Sequence, residues 1–130
     1  TMSFELKSYR APVESTFTFP VAPDNLQRET GFKSITLREL SPSSESSALS
    51  RASMDGAKLM HELVKESLVR AVKAEGDTME ISTADESVDI FWASIGPKGR
   101  TLVTAAYNHL NQPKPSEAAD FLASATVSAR

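Results

Sequence analysis

The chain has 130 residues, 40% hydrophobic and 24% charged, which is typical of a single globular domain. Its 14 basic and 17 acidic residues give a net charge of −3, which provides no overall attraction for nucleic acid or a membrane surface. Cysteine is absent, which excludes disulfides, thiolate ligands and a cysteine nucleophile and fits a reducing cytoplasm. The opening residues TMSFELKSYR have no apolar signal core, and no run approaches ~18 apolar residues. We therefore expect neither a signal peptide nor a membrane span.

Residues 1–40 have the pattern of an extended or β-like N-terminal segment. Phe17 and Phe19 alternate with threonines, and Ile35 and Leu37 alternate with polar residues in the same way. This period of two predicts two short strands that could form an antiparallel pair. The alternative is a partly disordered N-terminal arm.

Residues 41–130 have the pattern of a helical domain. Although serine-rich at its start, this region begins with a good helix signal: Ser41 as N-cap, Pro42 at the first position and Glu45 near the positive end of the helix dipole. Gly56 is a position where this helix could kink or break.

Residues 60–74 have the clearest amphipathic pattern in the chain. The apolar positions recur at helical spacing, and Gly76 suits the left-handed residue that ends a helix. A long helix is therefore predicted, with a core face that contains Met60, Val64, Leu68, Ala71 and Val72.

Three shorter helices are predicted after it. Thr83 and Glu86 have capping-box spacing before a helix over 84–95, and a Gly-Pro pair separates this helix from one over 98–110. Pro115 opens the last helix, whose inward face is predicted to contain Ala118, Phe121, Leu122 and Ala125. These patterns predict a mainly α fold, a small helical domain of about four helices with a short β or extended N-terminal region, forming a single domain overall.

No set of residues in the sequence has the pattern of a catalytic, cofactor or metal site. His61 begins an HExxH-like stretch, but Lys65 stands where the second histidine would be. Residues 96–100, GPKGR, resemble a small anion cradle but lack phosphate-loop spacing, so a tight helix connection is the better interpretation. No GxSxG motif is present. We predict that the protein is not an enzyme.

Aromatic and apolar residues concentrate on both sides of the Gly-Pro turn. Trp92, the only tryptophan, is a natural core residue for a small domain, but tryptophan is also enriched at interface hot spots. The sequence leaves both roles open. Our hypothesis is that a partner-binding surface includes Phe91, Trp92, Leu102 and Tyr107.

Four segments resemble a known family when they are taken in order. They are ITLRELSP at 35–42, LVKESLVRAVKAEGD at 63–77, FWASIGPKGRTLVTAAYNHLNQP at 91–113 and SEAADFL at 116–122. This arrangement is similar to that of the tail assembly chaperones of long-tailed bacteriophages with non-contractile tails. The resemblance extends over roughly residues 32–125.

The resemblance implies a small, mainly helical protein in the host bacterial cytoplasm. Members of this family bind the tape measure protein, keep that long apolar chain soluble and recruit tail tube protein around it. They self-associate, which here implies a homo-oligomer such as a ring or filament, and they leave before the virion matures. The family has no catalytic residues. Alternative interpretations are a structural head–tail or neck component of the phage particle, or a small helical regulatory binding module.

Overall fold

The structure, a computed structural model, describes residues 12–124. Within them the chain alternates between short strands and helices. In chain order these are β1 (Glu14–Thr18), α1 (Leu26–Thr30), β2 (Phe32–Arg38), α2 (Pro42–Ala52), α3 (Gly56–Ser67), β3 (Leu68–Lys73), β4 (Thr78–Glu80), α4 (Ser87–Ser94), α5 (Gly96–Asn111) and α6 (Pro115–Ala123).

An antiparallel sheet of four strands, in the order β1-β2-β3-β4, is the centre of the fold. Helices account for 54% and strands for 19% of the described structure, so the chain has an α/β fold. The prediction of a mainly α-helical protein with about four helices is therefore wrong. The error lies in residues 41–130, where β3 and β4 interrupt the predicted helical domain and join the two N-terminal strands in one sheet.

The two strands predicted from the period of two are confirmed. β1 and β2 pair antiparallel, with Phe17 opposite Ile35 on the face that lines the core. On the opposite face, Thr16 and Thr36 are paired, and their hydroxyl oxygens lie 2.9 Å apart. The core face of the β1–β2 pair is thus apolar and its opposite face polar, and on the central strand β2 the polar residues Ser34 and Thr36 are buried as well.

The predicted long helix ends early, at Ser67, and continues directly as strand β3. Leu68 and Ala71 are buried, as predicted, but in a strand in which they pair with Leu37 and Ile35 of β2. A short apolar run is compatible with either a helix or a strand, and here pairing with the distant strand β2 makes it a strand. The Ser67 hydroxyl fixes the transition by donating a hydrogen bond to the Arg38 carbonyl, 2.6 Å away.

The helix boundaries agree with the sequence signals in some places and not in others. The Ser41 hydroxyl caps α2 by accepting a hydrogen bond from the Ser44 N–H, and the predicted break before Gly56 is present. The capping box at Thr83 is not formed, because α4 starts later, at Ser87, whose N–H donates to the Asp85 carboxylate at 2.8 Å.

Helix α6 begins at Pro115 as predicted but does not face inward. It contains no buried residue, and Phe121 and Leu122 remain 75% and 68% exposed. The predicted inward face of this helix is therefore wrong for Phe121 and Leu122, and Ala118 is half-buried. Ala125, the fourth residue of that prediction, lies outside the described residues.

One hydrophobic core fills the space between the sheet and the helices. Helix α5 crosses β2 and also contacts α1, α3 and α4. Its buried residue Val103 and the α4 residue Phe91 are both inaccessible to solvent. The core therefore depends on the close approach of α5 to its neighbours.

Gly99 permits this close approach. A Cβ atom at Gly99 would lie 2.8 Å from Ile95 Cβ and 3.1 Å from Thr30 Cγ2, which is inside the normal contact distance. Its place in the GPKGR stretch is therefore explained by packing. An anion cradle is not needed to account for this glycine.

The Gly99→Ala variant is expected to be less stable than the wild type by about 1–2 kcal/mol, because overpacking outweighs the better helix propensity of alanine. Gly56→Ala is the matched control, since a Cβ there meets nothing within 4 Å and should stabilise α3 by up to about 1 kcal/mol. Urea unfolding followed by far-UV circular dichroism gives both values. A Gly99→Ala protein as stable as the wild type would contradict the packing role.

Candidate functional site

The four residues of the predicted partner surface do not share one environment. Phe91, Trp92 and Tyr107 are buried, at 0%, 9% and 6% exposure, whereas Leu102 is half-buried at the surface. The Phe91 ring packs on Phe32 with a centroid distance of 4.9 Å. Three of the four side chains thus belong to the core, and Leu102 is the one that a partner could touch.

Tyr107 illustrates the consequence of burial. Burial raises the pKa of its phenol, and the negative charge of Glu45 acts in the same direction. The Tyr107 side chain is therefore neutral at physiological pH. It contributes apolar volume to the core and no charge.

Leu102 lies in the floor of an open apolar hollow between α5 and the end of β1. The hollow has a volume of ≈ 290 Å³. The Phe17 ring contacts the His109 ring edge-on at one side of it, with centroids 6.1 Å apart. It is lined by Phe17, Thr18, Phe19, Pro20, Ile35, Leu102, Ala105, Ala106 and His109.

A second apolar hollow of ≈ 370 Å³ adjoins the first and shares Leu102 with it. We call the two hollows together the α5 groove. The second hollow is lined by Leu26, Pro97, Lys98, Thr101 and Leu102. From residue 97 to residue 109 the groove follows one face of α5 for about 18 Å at 1.5 Å per residue.

The end of the groove near the start of α5 is basic. Lys98 is largely exposed there and makes one long contact of 3.8 Å with the exposed Glu29. An exposed pair of this kind contributes little stability, so Lys98 can exchange Glu29 for another carboxylate. The positive end of the α5 dipole lies at the same end. The α5 groove therefore combines an apolar floor with one cationic end.

Elsewhere, an ionic cluster around the buried carboxylates of Glu62 and Glu66 connects three helices. Arg51 of α2 donates to Glu62 at 2.6 Å and forms a 2.7 Å ion pair with Glu66, and both acceptors lie on α3. Lys65 then connects Glu62, at 3.6 Å, to Asp89 of α4, at 3.2 Å.

The charge of Arg51 is stabilised by its two partners. Burial by itself would lower the pKa of Arg51, but hydrogen bonds and charge attraction from Glu62 and Glu66 outweigh it and raise the pKa. The guanidinium thus stays charged at every accessible pH. This cluster is best explained as a clamp between α2 and α3.

The described part of the chain offers no metal site. Between residues 12 and 124, no group of three or more histidine, cysteine, aspartate or glutamate side chains could hold a metal ion. His61 is exposed and lies against Trp92, with ring centroids 5.7 Å apart. None of the helices described is long and apolar enough to cross a membrane.

The sequence alone did not predict the α5 groove, because its walls come from distant segments. Phe17 and Phe19 were predicted as strand residues, and Leu102 was predicted to bind a partner, but together with residues that lie in the core. Ala105 and His109 lie three and seven residues after Leu102, so they share its face of α5. This helical spacing was the only sequence signal for the α5 side of the groove.

Comparisons with known proteins assign no family to this fold and groove. No protein-family model, no curated protein and no solved structure matches the chain.

Proposed function

We propose that this protein is a non-enzymatic tail assembly chaperone of a long-tailed bacteriophage. In this role it binds the tape measure protein in the host cytoplasm, keeps it soluble and recruits tail tube protein. It then leaves before the virion matures. The proposal rests on the four segments that resemble this family and on the α5 groove, which is an apolar surface left open in the folded chain.

The α5 groove is the observation that supports binding of an elongated apolar partner. Its floor is built around Leu102, Ala105 and Ala106 of α5, and aromatic rings of Phe17, Phe19 and His109 also line the groove. Such a floor suits the apolar face of a helix, as in other complexes in which a helix lies in a groove. A client held by many such weak contacts can be released when the tail tube assembles.

The cationic end of the groove favours a partner that carries a negative charge at the matching end. Lys98 and the α5 dipole favour a carboxylate on the bound helix near residue 98. The partner proposed here is therefore an amphipathic helix with an apolar face and an acidic residue at one end. Phe91, Trp92 and Tyr107 hold this surface in place from the core without contacting the client.

Ala105→Glu tests the proposal because it places a charge in the apolar floor at an exposed helical position. Desolvation of that charge is expected to reduce binding of a tape measure fragment at least about tenfold. The assay is co-expression with the fragment, followed by measurement of the fragment that remains soluble.

Ala93→Glu is the matched control, since Ala93 is also exposed on a helix but does not line the groove. Circular dichroism checks that both variants are folded. If Ala105→Glu solubilises the fragment as well as Ala93→Glu does, the α5 groove is not the client site.

A further inference from the structure

Helix α6 is formed but packs only marginally against the rest of the described chain, since it has no buried residue and only Ala118 is half-buried. Its first turn is capped, because the Glu117 carboxylate accepts a hydrogen bond from the Lys114 N–H at 2.8 Å. No residue of the helix is buried, and Phe121 and Leu122 expose most of their side chains. Isolated helices shorter than about 12–15 residues are marginal in water, so a nine-residue helix needs packing to persist.

The α5 groove has the dimensions and chemistry to supply that packing. Nine residues at 1.5 Å each give α6 a length of about 14 Å, which fits within the groove's length of about 18 Å. The adjacent pair Phe121 and Leu122 would fill the apolar floor. Glu117 and Asp120, on the same helix, are the carboxylates that the cationic end at Lys98 favours.

The groove of the same chain is not occupied by α6 in this structure. The two helices are joined by the short connection 112–114, and Phe121 and Leu122 project into solvent. We propose that α6 of one copy docks into the α5 groove of a second copy of this chain. The inference rests on the proposed function in one respect, that the groove accepts an amphipathic helix.

This contact uses two different surfaces and is therefore heterologous. Each copy offers one helix and one groove, so copies add head to tail and form a ring if the rotation closes or a filament if it does not. A client helix in the same groove would displace α6 of the neighbour. Self-association and client binding should therefore compete at each groove.

Two variants separate the two halves of the contact. Ala105→Glu blocks the groove, and the double variant Phe121→Ser, Leu122→Ser removes the apolar residues of α6. Each is expected to raise the dissociation constant for self-association by about 30-fold or more. Ala93→Glu and Ile90→Ser, at exposed positions outside both surfaces, are the matched controls and should associate like the wild type.

Mixing the two variants gives the decisive measurement by light scattering and sedimentation. The Ala105→Glu chain still has an intact α6, and the double serine variant still has an intact groove. The mixture should therefore form 1:1 dimers that grow no further. A mixture that stays monomeric overturns the proposal, and so does a wild-type chain that is monomeric at every concentration or variants that assemble like the controls.

The double serine variant also separates this inference from the proposed function. Its groove is intact, so it should still keep the tape measure fragment soluble, and more efficiently if α6 competes for the groove. If it assembles normally, head-to-tail docking is excluded while the client assay still reports on the groove. If it is monomeric but does not solubilise the fragment, docking stands and the chaperone role fails.

Discussion

Replacing Phe91 with alanine is expected to lower the free energy of unfolding by about 3–5 kcal/mol. The Phe91 side chain is fully inaccessible to solvent and packs on the Phe32 ring at the junction of the helices and the sheet. Truncation removes most of a large apolar side chain and leaves a cavity that a surrounding helix and strand cannot close. A loss of this size is a large fraction of the stability of a small domain.

The neighbouring residue provides the matched control for this prediction. Ile90 is 57% exposed on the same helix, so Ile90→Ala should change stability by no more than about 0.5 kcal/mol. Urea unfolding can be followed by the fluorescence of Trp92, the only tryptophan of the chain, which is buried in the folded state. If Phe91→Ala is as stable as Ile90→Ala but no longer binds the client, Phe91 is a contact residue, as the sequence hypothesis held.

The sequence predicts the elements that local signals determine. The period of two across Phe17 and Ile35 gave β1 and β2, and Ser41 with Pro42 gave the start of α2. Such signals depend only on residues that are close in the chain, and the structure contains the elements that they predict. The Gly-Pro pair is a local signal of the same kind, and it predicted the connection between two helices.

Non-local pairing explains the main error in the fold. Leu68 and Val72 continue the helical spacing of the residues before them, so the pattern alone extends the helix to Gly76. In the structure this segment pairs with β2 instead, and the backbone hydrogen bonds of β2 on that side are satisfied by β3. No periodicity within the segment indicates pairing with a strand that lies about 30 to 40 residues earlier in the chain.

The candidate site shows a related limit. An amphipathic pattern predicts an apolar face that contains Phe121 and Leu122, but it does not identify a surface against which that face packs. The sequence prediction assigned them to the chain's own core, whereas the structure leaves them exposed. The α5 groove was missed for the complementary reason, since residues 17–20 and 102–109 meet only in the folded sheet and helix.

Replacing Arg51 with methionine is expected to lower the free energy of unfolding by about 2–4 kcal/mol at neutral pH. Arg51 is the shared partner of Glu62 and Glu66, which are 7% and 6% exposed, and its removal leaves Glu66 as a buried carboxylate with its ion pair lost. Removal of one partner of a buried pair is strongly destabilising because the remaining charge is not compensated. The expected loss is reduced here because the Arg51 side chain is itself 36% exposed.

Arg70→Met is the matched control for this prediction. The Arg70 side chain is 39% exposed, close to the value for Arg51, and it also has two acidic partners. Its partners Glu14 and Glu80 are 47% and 73% exposed at 3.6 Å, so this variant should lose at most about 1 kcal/mol. The two arginines thus differ mainly in the burial of their partners.

Urea unfolding at low and high salt measures both variants. The small effect of Arg70→Met should shrink further in salt, whereas that of Arg51→Met should persist, because buried pairs are screened much less. Adding Glu66→Met to Arg51→Met should recover part of the loss, since an apolar replacement of both partners removes the uncompensated carboxylate. Equal losses for Arg51→Met and Arg70→Met would show that the cluster is no clamp between α2 and α3.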